Sequence, residues 1–243
     1  MGRSRHEACL NAHPGRYALG GDTIDSKGRF ANIAAAVSTG PPTPLVTAAV
    51  ILAAGASRRF DAAMPKLLAP FRGRPLASWA LEAVAAAGLD EVIVVTGGCD
   101  IHRLLGPEVV VENSDWMAGM ATSLQCGIAE ADRRGHDVVV IGLADQPFVP
   151  ASAWTSVAAT RAPIAVAVMG SQRTPPVRIE RSVWPLLPAT GDVGARALMA
   201  ASPHLVTEVA CAGSSVDLDT PSDFAHWEHH DPAINDAGRG TRT

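Results

Sequence analysis

The stretch Ala48-Ala49-Val50-Ile51-Leu52-Ala53-Ala54-Gly55-Ala56-Ser57-Arg58-Arg59-Phe60 decides how the rest of the chain is read. Ala48 to Ala53 is apolar without alternation, the pattern of a strand covered on both faces. It runs into small residues and a glycine, where a ligand can approach the backbone and N–H groups can bind an anion. Arg59 follows, and Met64-Pro65-Lys66-Leu67-Leu68 brings a second cation. Lys27 and Lys66 are the only lysines of the chain, so a lysine beside this loop stands out. The loop is neither G-x-x-x-x-G-K-[ST] nor G-x-G-x-x-G, which removes the Walker phosphate loop and the main support for an NAD-binding domain. On spacing alone, an ordinary tight turn with two solvated cations explains it equally well.

Working outward, short apolar runs alternate with helical patterns. Leu76, Trp79, Ala80, Ala83, Val84 and Ala87 fall at helical spacing, with Gly88 where the helix would stop. Glu91 to Thr96 reads as a second strand, Gly97 to Leu105 as a short helix and Val109 to Val111 as a third strand. Thr122 to Arg134 is a helix ending before Gly135, Val138 to Leu143 a fourth strand and Ile164 to Met169 a fifth. This alternation predicts a three-layer α/β domain with a mostly parallel sheet. Ligands of such sheets bind at the carboxyl ends of the strands. Asp145, two residues past the fourth strand, is therefore a candidate Mg²⁺ ligand; a loop-capping aspartate is the plainer alternative.

Composition bounds the rest. The 243 residues carry a formal net charge of −4, too weak a field to hold nucleic acid or an anionic membrane non-specifically. The apolar run Leu45 to Ala56 is too short to span a bilayer, and no apolar segment follows Arg3 and Arg5, so a cytoplasmic protein is expected. Cys9, Cys99, Cys126 and Cys211 are widely spaced and read as thiols of a reducing compartment. Residues 1–44 lack apolar periodicity and read as a disordered leader, and 229–243 as a disordered tail, leaving 45–228 as the folded unit. The histidines of His226-Trp227-Glu228-His229-His230-Asp231 are read as solvated.

The ordered set of motifs resembles the nucleotidyltransferases that act on the molybdenum cofactor, most closely the molybdenum cofactor cytidylyltransferases. Leu52-Ala53-Ala54-Gly55 with Ser57, Arg59-Phe60 and Lys66-Leu67-Leu68 is similar to their first loop. Asn113, Trp116, Gly119-Met120, Ser123-Leu124 and Gly127 resemble their N-x-x-W-x-x-G-M-x-x-S-L-x-x-G segment. Asp145-Gln146-Pro147, Pro176-Val177, Gly191-Asp192-Val193-Gly194-Ala195-Arg196 and Asp217-Leu218-Asp219-Thr220-Pro221 follow in the family's order. The chain departs at Asp61 and Ala144, where glycines are usual, and at Thr174-Pro175-Pro176, where G-H-P is usual.

The resemblance implies a Rossmann-like nucleotidyltransferase domain. The implied reaction is Mg²⁺-dependent transfer of CMP from CTP to the phosphate of a molybdopterin-type cofactor, releasing pyrophosphate. Lys66, Arg59 and Asp145 would be catalytic. Leu52, Ala53, Ala54, Gly55, Lys66, Thr96 and Asn113 would bind the nucleotide, and Asp145 and Asp219 the metal. Asp219 reads alternatively as an N-cap of the helix near Pro221, with Thr220 sharing that role. Ala54 points to CTP, since A-A-G goes with cytidylyl and A-G-G with guanylyl transfer in this family. The alternatives are GTP, a sugar or small-acid phosphate acceptor, or a non-catalytic protein that delivers the cofactor to a client molybdoenzyme.

Overall fold

Val50 and Ile51 lie on an interior strand of a seven-stranded sheet in a computed structural model that describes residues 45–55, 60 and 64–230. The leader expected over 1–44, Arg59, and residues 231–243 of the expected tail lie outside the described residues. In chain order the strands are β1 (Thr47–Leu52), β2 (Pro70–Phe71), β3 (Arg74–Pro75), β4 (Glu91–Thr96), β5 (Val109–Glu112), β6 (Val138–Leu143), β7 (Ile164–Met169), β8 (Gln172–Glu180) and β9 (Val206–Ala210). The helices are α1 (Leu76–Ala87), α2 (Met120–Arg133), α3 (Ala151–Ala159), α4 (Ala195–Ala201) and α5 (Pro221–Trp227).

The large sheet runs β5-β4-β1-β6-β8-β7-β9, and β2 and β3 form a separate two-stranded ribbon. β1, β4, β5 and β6 pair in parallel, as do β7 and β9; β8 runs antiparallel to both its neighbours. The alternation of side chains along β1 sorts the core into two layers. Ala49 and Ile51 pack with Leu81 and Val84 of α1 and Trp154 and Val157 of α3. Ala48 and Val50 face the other way, toward Leu124 and Ile128 of α2 and Leu198 of α4. Residues 48–51 are fully buried, each valine or isoleucine contributing about 1.5–3 kcal/mol of transfer free energy. The three-layer α/β class expected from sequence is the fold observed.

Local chemistry explains where the elements differ from expectation. Gly88 ends α1 in the left-handed conformation, as its position predicts. The helix expected over 97–105 shrinks to a single 3-10 turn at His102–Leu104, and the Asp100 side chain accepts the His102 N–H at 3.0 Å. β8 is absent from the sequence reading because Pro175 and Pro176 interrupt it. The strand carries them where the register with β7 shifts between Val166 and Ala167. Cys99, Cys126 and Cys211 are free thiols, and Cys126 is a buried core residue. Among the described residues no helix is long and apolar enough to cross a membrane.

Candidate active site

The carboxyl ends of β1 and β6 open into a cavity of about 520 Å³. Leu52, Ala53, Ala54 and Gly55 form one wall of it, and Lys66, Asp145 and Asp219 another. Lys66 begins a 3-10 turn whose next residue, Leu67, is anchored in the core, so the lysine is carried inward and is only 5% exposed. Its Nζ donates to Asp145 Oδ2 at 2.7 Å and to Asp219 Oδ1 at 2.8 Å. Burial disfavours the ammonium, but the charges and hydrogen bonds of the two aspartates outweigh it, and the Lys66 pKa is raised above the ordinary lysine value.

Asp219 reaches this point because the next residue caps α5. Thr220 Oγ1 accepts the Asp223 N–H at 3.2 Å, and Asp223 Oδ2 accepts the Thr220 N–H at 2.7 Å, a reciprocal capping box. Thr220, not Asp219, is the N-cap, so the Asp219 carboxylate is directed to Lys66.

Thr96 and Asn113 sit apart from the cavity lining. Thr96 is buried and donates to the Val111 carbonyl at 3.4 Å. Asn113 is also buried. Its amide donates to Thr122 at 2.9 Å and Ser123 at 3.0 Å while its oxygen accepts the Asp115 N–H. Thr96 ties the end of β4 to β5 and Asn113 ties the residue after β5 to α2, so these hydrogen bonds are made within the protein. Arg59 lies outside the described residues.

The sequence reading missed Asp192, which lines the same cavity. Its loop docks on the start of α2: the Gly191 carbonyl accepts the Ala121 N–H at 2.9 Å, and Asp192 Oδ1 accepts the Met120 N–H at 3.3 Å. Gly119 permits this approach. It adopts φ +111°, and a Cβ there would lie 2.6 Å from the Gly191 carbonyl oxygen. The pairing of G-M with G-D-x-G in the sequence was the available signal.

A second cavity, of about 490 Å³, adjoins the first at Leu52, Met120, Leu143 and Asp192. Met120 lines both, while Trp116 lines only the first. Asp217 and Gln146 stand in the second cavity, with Gln146 Nε2 donating to Asp217 Oδ1 at 2.8 Å. Burial in the wall, then the charge of Asp145, push the Asp217 carboxyl above the usual aspartate value; the Gln146 hydrogen bond and Lys66 act against them.

The described wall of the first cavity carries Asp145, Asp192 and Asp219 against the ammonium of Lys66. A polyphosphate brought there needs added cations, and hard carboxylate oxygens are the donors that Mg²⁺ prefers. Asp145 and Asp219 both bond the Lys66 ammonium, which brings two such carboxylates close together. Elsewhere, His226 and His230 stack with ring centroids 5.0 Å apart, and the described residues contain no group of three or more metal-binding side chains.

Fold and cavity together define an α/β nucleotidyltransferase. The chain belongs to the MobA-like NTP transferase domain family, whose profile matches residues 49–206. It is 33% identical over 195 residues to nicotine blue oxidoreductase of Paenarthrobacter nicotinovorans, covering 73% of this chain and 93% of that protein. It is 30% identical over 192 residues to the purine catabolism protein PucB of Bacillus subtilis, covering 72% and 92%. Among solved structures, Rv0371c of Mycobacterium tuberculosis superposes with a TM-score of 0.65 at 26% identity, covering 77% of this chain and all of that one. The manganese complex of Rv0371c gives a TM-score of 0.62 at 26% identity, covering 74% and 96%.

Proposed function

We propose that the chain transfers CMP from CTP to the terminal phosphate of a molybdopterin-type cofactor and releases pyrophosphate. The observation that carries this reading is the junction of the two cavities beside the Lys66–Asp145–Asp219 cluster, which suits a triphosphate on one side and an acceptor on the other. The acceptor phosphate is ionised at neutral pH, so attack on the α-phosphorus needs no general base. The chain must align the two phosphates and hold their charge.

Ala53, Ala54 and Gly55 form the wall on which the nucleotide lies. A Cβ at Gly55 would meet nothing within 4 Å, so that glycine leaves open room rather than completing the core. Lys66 places one positive charge beside the phosphates, with Arg59 assigned the same task. Asp145 and Asp219 would hold Mg²⁺; the similar Rv0371c has been solved as a complex with manganese, another divalent ion. When bound, that ion supplies neutralisation of phosphate charge. Ala54 favours CTP. Mass spectrometry of the cofactor after incubation with CTP and Mg²⁺ tests the reading: a gain of one CMP is expected, and unmodified cofactor would refute it.

The oxidoreductase name of the Paenarthrobacter relative and the apolar second cavity give a second reading, an oxidoreductase acting on a compound like nicotine blue with a nicotinamide cofactor. Saturable binding of NADH or NADPH would favour it. The proposed transferase binds neither.

A further inference from the structure

The second cavity combines apolar walls with two carboxylates, Asp192 and Asp217, of which Asp217 is held by Gln146. Leu124, Ile141, Val166, Val177 and Met199 supply a surface suited to a flat, weakly polar body. Asp217 lies on the same wall, and its carboxylate has no ion pair among the described residues. Arg173 and Arg196 also line that cavity, and Arg173 is held by Glu208 at 2.6 Å.

The carboxylate is also oriented. Gln146 is 3% exposed, and its Nε2 donates to Asp217 Oδ1 at 2.8 Å and to Thr174 Oγ1 at 3.4 Å. These bonds leave the second carboxylate oxygen for a ligand, while Oδ1 retains a further lone pair. Two adjacent oxygens accept best from two parallel N–H groups, the geometry of a guanidine-like edge.

We propose that Asp217, positioned by Gln146, is the specificity residue that reads a cyclic guanidine edge on a planar heterocyclic acceptor, the edge of a 2-amino-4-oxopyrimidine ring. This rests on the second cavity being the acceptor site, and it assigns that site a discriminating atom. A ring with oxygen in place of the 2-amino group presents a lone pair to the carboxylate and is rejected.

The test compares two probes differing in that one group, pterin and lumazine, by fluorescence titration against the full chain. Wild type is expected to bind pterin about tenfold or more tightly than lumazine, since a site built to hydrogen-bond a donor discriminates against the analogue lacking it. Asp217→Asn, which presents one donor and one acceptor, is expected to lose that ratio, and Asp217→Ala likewise. Equal affinities in wild type, no binding of either probe, or a ratio that survives Asp217→Asn would overturn the proposal. CTP titration of the same wild-type protein separates the two claims. Absence of CTP binding counts against the proposed transfer and leaves the pterin–lumazine ratio readable.

Discussion

The Lys66 ammonium lies 2.7 Å from Asp145 Oδ2, tying the turn after β1 to the loop after β6 at the wall of the first cavity. The same nitrogen donates to Asp219, so one cation holds two carboxylates together. Lys66→Met removes the charge and leaves the carboxylates facing each other. Transfer is predicted to fall by about 10²-fold or more, the loss typical of a removed electrostatic stabiliser. The melting temperature should fall by several degrees and recover partly with Mg²⁺, which thermal unfolding with and without the ion reads. Unchanged kcat/KM in Lys66→Met would remove the lysine from the mechanism.

Asp145→Asn keeps the shape of the side chain and one hydrogen-bond acceptor but not the charge. Activity is predicted to fall by about 10²–10³-fold while the circular dichroism spectrum stays that of wild type. The same variant separates catalysis from delivery. Full maturation of a client molybdoenzyme by Asp145→Asn would mean that the chain hands over cofactor without chemistry.

The pH dependence of stability has two separate windows. Lys66 has a folded pKa above its ordinary 10.5, so its contribution is complete below pH 10.5 and is lost as pH rises through the folded value. Glu91 behaves oppositely. Hydrogen bonds from Arg134, opposed by burial and aided by His136 at 2.8 Å, lower its pKa from 4.5 to about 2. Its contribution, on the order of 2–3 kcal/mol, is present above pH 4.5 and vanishes as pH falls through about 2. Urea unfolding of wild type and Glu91→Gln should therefore differ at pH 6 and converge toward pH 2; a difference that persists undiminished at pH 2 would contradict this assignment.

Gly127 allows α2 to lie on β1. A Cβ there would sit 2.5 Å from Val50 Cγ1 and 3.2 Å from Val95 Cγ2. Gly127→Ala is predicted to destabilise the fold by about 1–3 kcal/mol through overpacking. Adding Val50→Ala should restore part of that loss, giving a double mutant less destabilised than the sum of the singles. Strict additivity in denaturant midpoints would show that the two sites do not touch.

The parallel half of the sheet was legible because its strands are continuous apolar runs. Glu91–Thr96 and Val138–Leu143 match their predicted limits, and Gly88 marks the end of α1. The antiparallel part was not. β8 carries two prolines in a register shift, and α3 follows Pro150 with little amphipathic contrast. Within the site, Lys66, Asp145 and the small residues 53–55 were singled out, and all line one cavity. Asn113 shares their motif pattern but makes internal hydrogen bonds, since sequence spacing does not separate a ligand contact from a buttress. Asp192 and Gln146 depend on loops meeting across the fold, which only the tertiary arrangement reveals.

The central claim, transfer of a cytidylyl group to the cofactor, is tested most directly by pyrophosphate release. Purified protein is incubated with Mg²⁺, molybdopterin-type cofactor and each nucleoside triphosphate in turn. The account predicts cofactor-dependent release with CTP, at least about tenfold faster than with GTP, the ratio set by roughly 1.4 kcal/mol of differential transition-state binding. Release with GTP and none with CTP, or none with any triphosphate, would contradict it.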